Sequence, residues 1–190
     1  MNINIGGCKG FKKFSEEIQK LWHTMDAHPN ADVVYNLNSG KRIALPDNSV
    51  NNYYCSHTLE HVTPKNLPMV LKELHRTLKS KGKLRIVVPD IKDGIRRYLA
   101  NEKGVGFHPH KPADYPPTSL GYLMAWINTH NTKHGNGHEM AFDIETLKYY
   151  LCQAKFNKMK ILSYNKCSPI FSGKDFGKYA GWSIYVEVTK

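Results

Sequence analysis

Polar and apolar residues alternate at the start of the chain, Asn2, Ile3, Asn4, Ile5, and Gly6, Gly7 and Gly10 follow at once. A period of two predicts a short strand with one buried face, and the glycines predict a tight turn at its end. Beyond the turn the period lengthens. Phe11, Phe14, Ile18 and Leu21 stand at helical spacing and predict a helix over residues 11–20. Short apolar runs at residues 21–25, 32–35 and 50–55 are bounded by Asp, Asn, Ser and Gly, and each predicts a strand. Thr63 and Pro64 then open a helix, with Leu67, Val70, Leu71, Leu74 and Leu78 as its buried stripe and Lys81-Gly82 as its end. Residues 83–88, rich in β-branched side chains and flanked by helices, predict a central parallel strand covered on both faces.

The second half continues the pattern. Residues 91–100 predict a helix. Residues 101–119 carry Gly104, Gly106, Pro109, Pro112, Pro116 and Pro117, the composition of a loop or lid. A further helix is predicted over residues 120–129, and an irregular stretch over 132–139. Asp143 can cap a helix running to residue 154, with Glu145 and Thr146 in its first turn and Leu147, Tyr150 and Leu151 facing inward. Strands are predicted over residues 158–164 and 182–188. No helix separates these last two strands, so they pair antiparallel. The expected class is α/β: a Rossmann-like, doubly wound, seven-stranded and mostly parallel sheet with an antiparallel last strand and helices on both faces. A chain of 190 residues forms one such domain, with a lid or acceptor segment at about residues 101–139.

Composition narrows the setting. Apolar residues make up 41% and charged residues 23%, as in ordinary globular proteins. No apolar run nears the roughly 18 residues of a membrane-spanning helix, and no targeting segment is visible, so the expected location is the cytoplasm. Cys8, Cys55, Cys152 and Cys167 lack paired spacing and read as free thiols. His130, His134 and His138 fall four apart, as helical metal ligands would, but Gly135 and Gly137 interrupt the helix, so no metal site is expected. The net charge of +11 attracts anions. It is spread over residues 9–13, 79–83, 96–97 and 155–160, which reads as a solvated surface rather than a nucleic-acid track.

Chemistry is expected at the carboxyl ends of the strands, where open α/β sheets bind ligands. The turn at Gly6 and Gly7 lets a ligand approach the backbone, and Asp26 ends the second strand where a carboxylate can accept from a ribose hydroxyl pair. Taken alone, the glycines are equally a plain turn and Asp26 a plain cap. The glycine spacing of nicotinamide enzymes is absent.

Five segments in order add weight: Asn4-Ile5-Gly6-Gly7-Cys8, Trp22-His-Thr-Met-Asp26, Leu45-Pro46-Asp47-Asn48-Ser49-Val50-Asn51, Ser56-His57-Thr58-Leu59-Glu60-His61, and Lys81-Gly82-Lys83-Leu84-Arg85-Ile86-Val87-Val88-Pro89-Asp90. A sixth, His138-Glu-Met-Ala-Phe142-Asp143 with Thr146-Leu147 and Ala154-Lys-Phe156, follows. Together they resemble a class I S-adenosylmethionine-dependent methyltransferase, in particular the small methyltransferases associated with glycan and cell-surface biosynthesis. The resemblance implies S-adenosyl-L-methionine as cofactor and S-adenosyl-L-homocysteine as product. It implies that Gly6, Gly7 and Cys8 wrap the methionine part and that Asp26 holds the ribose. Asn36 and Leu37 would border the adenine, and Ser56 and His57 would lie under the methionine facing the methyl. Departures from the family pattern are the Gly6-Gly7-Cys8-Lys9-Gly10 turn, Asn36 and Asn51 in place of Asp, and Lys83 and Lys155 in place of Gly.

Methyl transfer from a sulfonium is an in-line displacement, so alignment supplies much of the rate. A hydroxyl acceptor also needs a base near neutral pKa. The catalytic candidates are His57 and Asp90, with His108, His110, His130, His134 and His138 in the histidine-rich segment. His57 can equally be a cofactor contact, and Asp90 a helix cap. The expected acceptor is a hydroxyl of a sugar, glycan or related small molecule. One alternative is an RNA or other nucleic-acid methyltransferase, favoured by charge but lacking an Asn-Pro-Pro-Tyr motif and paired catalytic cysteines. Another is a non-catalytic structural or activating subunit with this fold. The oligomeric state is not legible.

Overall fold

The computed structural model describes residues 1–7, 20–102, 115–128 and 137–190. Cys8, the helix expected over residues 11–20, most of the lid, and His108, His110, His130 and His134 lie outside the described residues.

Seven strands form one sheet: β1 (Asn2–Ile5), β2 (His23–Asp26), β3 (Val33–Val34), β4 (Val50–Ser56), β5 (Leu78–Pro89), β6 (Lys158–Leu162) and β7 (Ser183–Thr189), in the order β3-β2-β1-β4-β5-β7-β6. The first five run parallel, and β7 lies antiparallel to both β5 and β6. Only the last strand is therefore reversed, as the expected fold class has it. The order reverses between β1 and β4, and this is where an α/β sheet opens a crevice at its carboxyl edge.

Among the described residues, four helices accompany the sheet: α1 (Leu67–Thr77), α2 (Ile91–Leu99), α3 (Ser119–Asn128) and α4 (Ile144–Gln153). Leu67, Val70, Leu71 and Leu74 of α1, and Leu147 and Leu151 of α4, pack with Ile3, Ile5, Tyr53, Cys55, Leu84, Ile86, Val186 and Val188 in the main core. On the opposite face, Tyr54, Val87 and Tyr185 pack with Trp22 and with Phe171 from the turn Pro169–Phe171. Asp90 caps α2 by accepting from Lys92 N–H at 3.0 Å, and Asp143 caps α4 by accepting from Thr146 N–H at 2.8 Å.

Two boundaries differ from the sequence reading. Helix α1 begins at Leu67 rather than at Thr63-Pro64: residues 63–66 form a turn in which the Thr63 carbonyl accepts from Asn66 and Leu67 N–H, and Pro68 takes the first-turn place. Both prolines suit a helix start, and the turn decides between them. The Lys81-Gly82 pair does not separate helix from strand either. Strand β5 starts at Leu78, directly after α1, and Lys81-Gly82 sits where its pairing with β4 shifts register, between Val50↔Leu78 and Asn52↔Lys83. Lys81 is left-handed at φ +63°, and a bulge needs such a conformation as much as a helix end does.

Arg85 is fully buried in the central strand. Its guanidinium donates to Asp175 and to Glu187 Oε1 at 3.1 Å. Asp175 also accepts from Asn165 N–H at 2.9 Å, and Glu187 from Ser168 N–H at 2.8 Å. The segment between β6 and β7 is thereby pinned across the sheet, and Tyr54 adds a hydrogen bond from its hydroxyl to the Lys174 carbonyl at 2.7 Å.

Candidate active site

The carboxyl ends of β1, β2 and β4 meet at Gly6. Its N–H donates to the Met25 carbonyl at 2.8 Å, which brings Asp26, the last residue of β2, beside the glycine turn. Gly6 is left-handed at φ +76°, and a Cβ there would lie 2.1 Å from Thr58 Oγ1. A Cβ on Gly7 would lie 2.4 Å from Asn4 Nδ2. Gly6 is therefore required by its conformation and by close approach, while at Gly7 the clash is with the movable end of the Asn4 side chain. Thr58, which the sequence reading did not single out, supports the turn by donating to the Ile5 carbonyl at 3.3 Å or the Ser56 carbonyl at 3.1 Å. A recess opens here, lined by Asn4, Ile5, Gly6, Tyr54, Ser56 and, from the pinned segment, Lys174, Phe176 and Tyr179.

Asp26 Oδ1 accepts from His28 N–H at 2.9 Å, which fixes the carboxylate at the strand end. Asn36 Oδ1 accepts from Asn38 N–H at 2.8 Å and closes a turn, while Leu37 packs against the main core. Asn38 reaches the following element: its side chain donates to the His61 carbonyl at 2.9 Å and accepts from Thr63 N–H at 2.9 Å. The turn expected to border the adenine is thus tied to the turn that follows β4.

His57 extends the β4–β5 pairing through its N–H to the Val87 carbonyl at 2.8 Å, then leaves the strand at φ +50°. Its ring stacks on Tyr179 with centroids 3.6 Å apart and meets Trp182 edge-on at 5.0 Å. Nε2 lies 3.0 Å from Ser183 Oγ, and Nδ1 lies 3.3 Å from Glu60 Oε1. The imidazole lies between a carboxylate and a hydroxyl, with hydrogen-bond geometry to the hydroxyl alone. It sits behind Tyr179, whereas Ser56 lines the recess directly. Ser183 pairs with Pro89, and the Trp182 carbonyl accepts from Asp90 N–H at 3.1 Å. His57 and Asp90 therefore share one end of the sheet. Burial raises the Asp90 carboxyl above its usual range.

Lys174 went unread in the sequence, while Glu60 was read there only as part of a motif and His138 as a candidate base and one of three helically spaced histidines. Glu60 is 1% exposed; burial opposes its charge, but His57, with His138 and His61, holds its carboxyl below the usual range. His138 is pushed down to about 4, chiefly by burial, and so is neutral over the physiological range. Lys174 is pushed down to about 7 by burial, with its Nζ 4.1 Å from the centre of the Trp22 ring and 5.0 Å from that of Tyr54. No spacing rule links residues so far apart in the chain.

Comparison with known proteins fits this geometry. Residues 13–86 match the family model described as a methyltransferase domain. A search of curated proteins finds no match. Among solved structures, the chain is similar to a SAM-dependent methyltransferase from Archaeoglobus fulgidus (TM-score 0.55, 14% identity, 100% of this chain and 85% of that one). It is also similar to a SAM-dependent methyltransferase from Thermotoga maritima, described as a possible histamine N-methyltransferase (TM-score 0.57, 16% identity, 100% and 81%). A third likeness is to a putative methyltransferase in complex with the Trm112 activator from Haloferax volcanii (TM-score 0.55, 9% identity, 99% and 81%). The fold is that of the S-adenosylmethionine-dependent methyltransferases, and residues 13–86 match a methyltransferase domain. S-adenosylmethionine is the cofactor of that class, and the glycine turn beside Asp26 suits it.

Proposed function

We propose that the chain transfers a methyl group from S-adenosylmethionine to a hydroxyl of a sugar, glycan or related small molecule. The observation that carries the reading is the junction at Gly6: a side-chain-free turn, bonded to β2 beside Asp26, opening on a recess that Ser56 lines. Gly6 and Gly7, with Cys8 following them, wrap the methionine part; Asp26 holds the ribose; Asn36 and Leu37 border the adenine; Ser56 lies nearest the sulfonium.

The cofactor supplies an activated methyl when bound. The protein's part is to align the acceptor and to take its proton. His57 is the proposed base, with the Glu60 carboxylate 3.3 Å from its Nδ1 and the Ser183 hydroxyl 3.0 Å from its Nε2. Asp90, its carboxyl raised by burial, is proposed to face the acceptor from the start of α2. The acceptor is proposed to be chosen by the segment at about residues 101–139.

Calorimetry with S-adenosylmethionine and S-adenosylhomocysteine tests the cofactor. We expect saturable binding with a micromolar Kd, lost in Asp26→Ala. No saturable binding would leave the non-catalytic subunit as the surviving reading. Transfer of labelled methyl to a panel of sugars then tests the acceptor, and transfer to nitrogen acceptors alone would sink the hydroxyl assignment.

A further inference from the structure

Glu60, which lies beside His57, also belongs to a second constellation, with His61 and His138. It lies in the 3-10 turn Leu59–His61 that follows β4, and its carboxylate is almost wholly buried. Neither side-chain oxygen has a hydrogen-bond partner among the described residues; His57 Nδ1 approaches Oε1 at 3.3 Å without hydrogen-bond geometry. A buried carboxylate left so poorly satisfied demands a compensating group.

His61 and His138 flank it. The His61 ring meets the His138 ring edge-on with centroids 4.9 Å apart. One ligand-type atom from each of Glu60, His61 and His138 falls within 4.8 Å of the others. His61 Nδ1 lies 3.0 Å from the Gly137 carbonyl, and a carbonyl only accepts, so Nδ1 carries the proton. With Nδ1 so engaged, Nε2 is the nitrogen left to ligate, the arrangement in which a backbone carbonyl orients a metal-ligating imidazole. The backbone is held as well: the Glu60 carbonyl accepts from Glu139 N–H at 2.7 Å and from Met140 N–H at 3.0 Å. The residues on either side of His138 are therefore locked to the turn that carries the other two.

We propose that Glu60, His61 and His138 bind one divalent transition-metal ion through two imidazoles and a carboxylate. This donor set matches three-ligand zinc sites that keep a fourth position open, and manganese or ferrous iron are harder alternatives. Ligands about 2.1 Å from a tetrahedral ion stand roughly 3.4 Å apart. The observed spacing, within 4.8 Å, exceeds that value by up to about 1.4 Å, which side-chain rotation on binding would close. The ion clips the turn after β4 to the end of the segment at about residues 101–139. The inference stands independently of the methyl-transfer reading.

The test is titration of the metal-stripped chain with Zn²⁺, and with Co²⁺ as a spectroscopic probe. One ion per chain is expected, with visible Co²⁺ bands of a low-coordinate site. Glu60→Gln and His138→Ala should each weaken binding at least tenfold, while the exposed-site controls His23→Ala and His28→Ala leave it unchanged. Binding that survives both Glu60→Gln and His138→Ala, or that falls with the controls, overturns the site. Circular dichroism checks that the variants fold. Should they not, the wild-type Co²⁺ spectrum decides, and absence of those bands at stoichiometric cobalt overturns the proposal.

Discussion

Gly6 and Lys174 face each other across the recess, and they meet the sheet by different physics. At Gly6 the constraint is space. The backbone is left-handed, and Thr58 Oγ1 occupies the place of a side chain. Gly6→Ala is expected to lower stability by about 1–3 kcal/mol through overpacking and to weaken S-adenosylhomocysteine binding at least tenfold; chemical denaturation and calorimetry measure the two effects. At Lys174 the constraint is dielectric. Its ammonium is buried against Trp22 and Tyr54, which lowers its pKa to about 7, below the unfolded value of about 10.5. The unfolded chain then binds more protons than the folded one between those values, so this group makes stability rise with pH in that window. The slope is about 1.4 kcal/mol per pH unit at most. Lys174→Met should flatten the rise between pH 7 and 9 in urea denaturation. An unchanged slope would show that Lys174 does not titrate there.

At the scale of elements, the junction of α1 with β5 leaves little room for change. A Cβ on Gly82 would lie 2.7 Å from the Asn51 carbonyl oxygen and 2.8 Å from that of Lys79, both backbone and unable to swing aside. Gly82→Ala is expected to cost about 1–3 kcal/mol, read as a lowered denaturation midpoint, with the far-ultraviolet spectrum unchanged. The sequence showed the glycine but misplaced its work. It read Lys81-Gly82 as a helix end because breakers look alike at caps and bulges. By contrast, the alternation of Asn2 to Ile5, the stripe from Leu67 to Leu74 and the Asp143 cap were legible because each rests on local periodicity or capping chemistry. Of the site, Gly6, Asp26 and Ser56 were legible by motif order. Lys174, Tyr179 and Ser183 were not, since tertiary folding alone brings Ser183 to His57 and Lys174 to Tyr54.

For the whole molecule, charge and connectivity matter most. The +11 surface draws polyanions, but its spread argues for weak, non-specific contact. Gel shifts on mixed RNA should fade steeply with salt and vanish at moderate ionic strength; a salt-resistant complex would revive the nucleic-acid reading. Arg85 holds the architecture in a single residue, bonded to Asp175 in the pinned segment and to Glu187 in β7. Arg85→Ala leaves two buried acids short of their partner and is expected to cost about 3–5 kcal/mol, measured by thermal or urea denaturation.

The place of β7 bears on how the protein is made. It is the last strand along the chain, yet it lies between β5 and β6. During synthesis, β5 and β6 have no partner along those edges until Ser183–Thr189 emerges. Until then the nascent chain presents bare strand edges and an Arg85 that lacks Glu187, the conditions under which strands join the wrong chain. β6 pairs only with β7, so the closing step is the docking of this antiparallel pair, through β7, on the edge of β5. Folding should therefore finish slowly and late, and yield in the cell should depend on chaperone capacity more than the stability of the finished sheet would indicate.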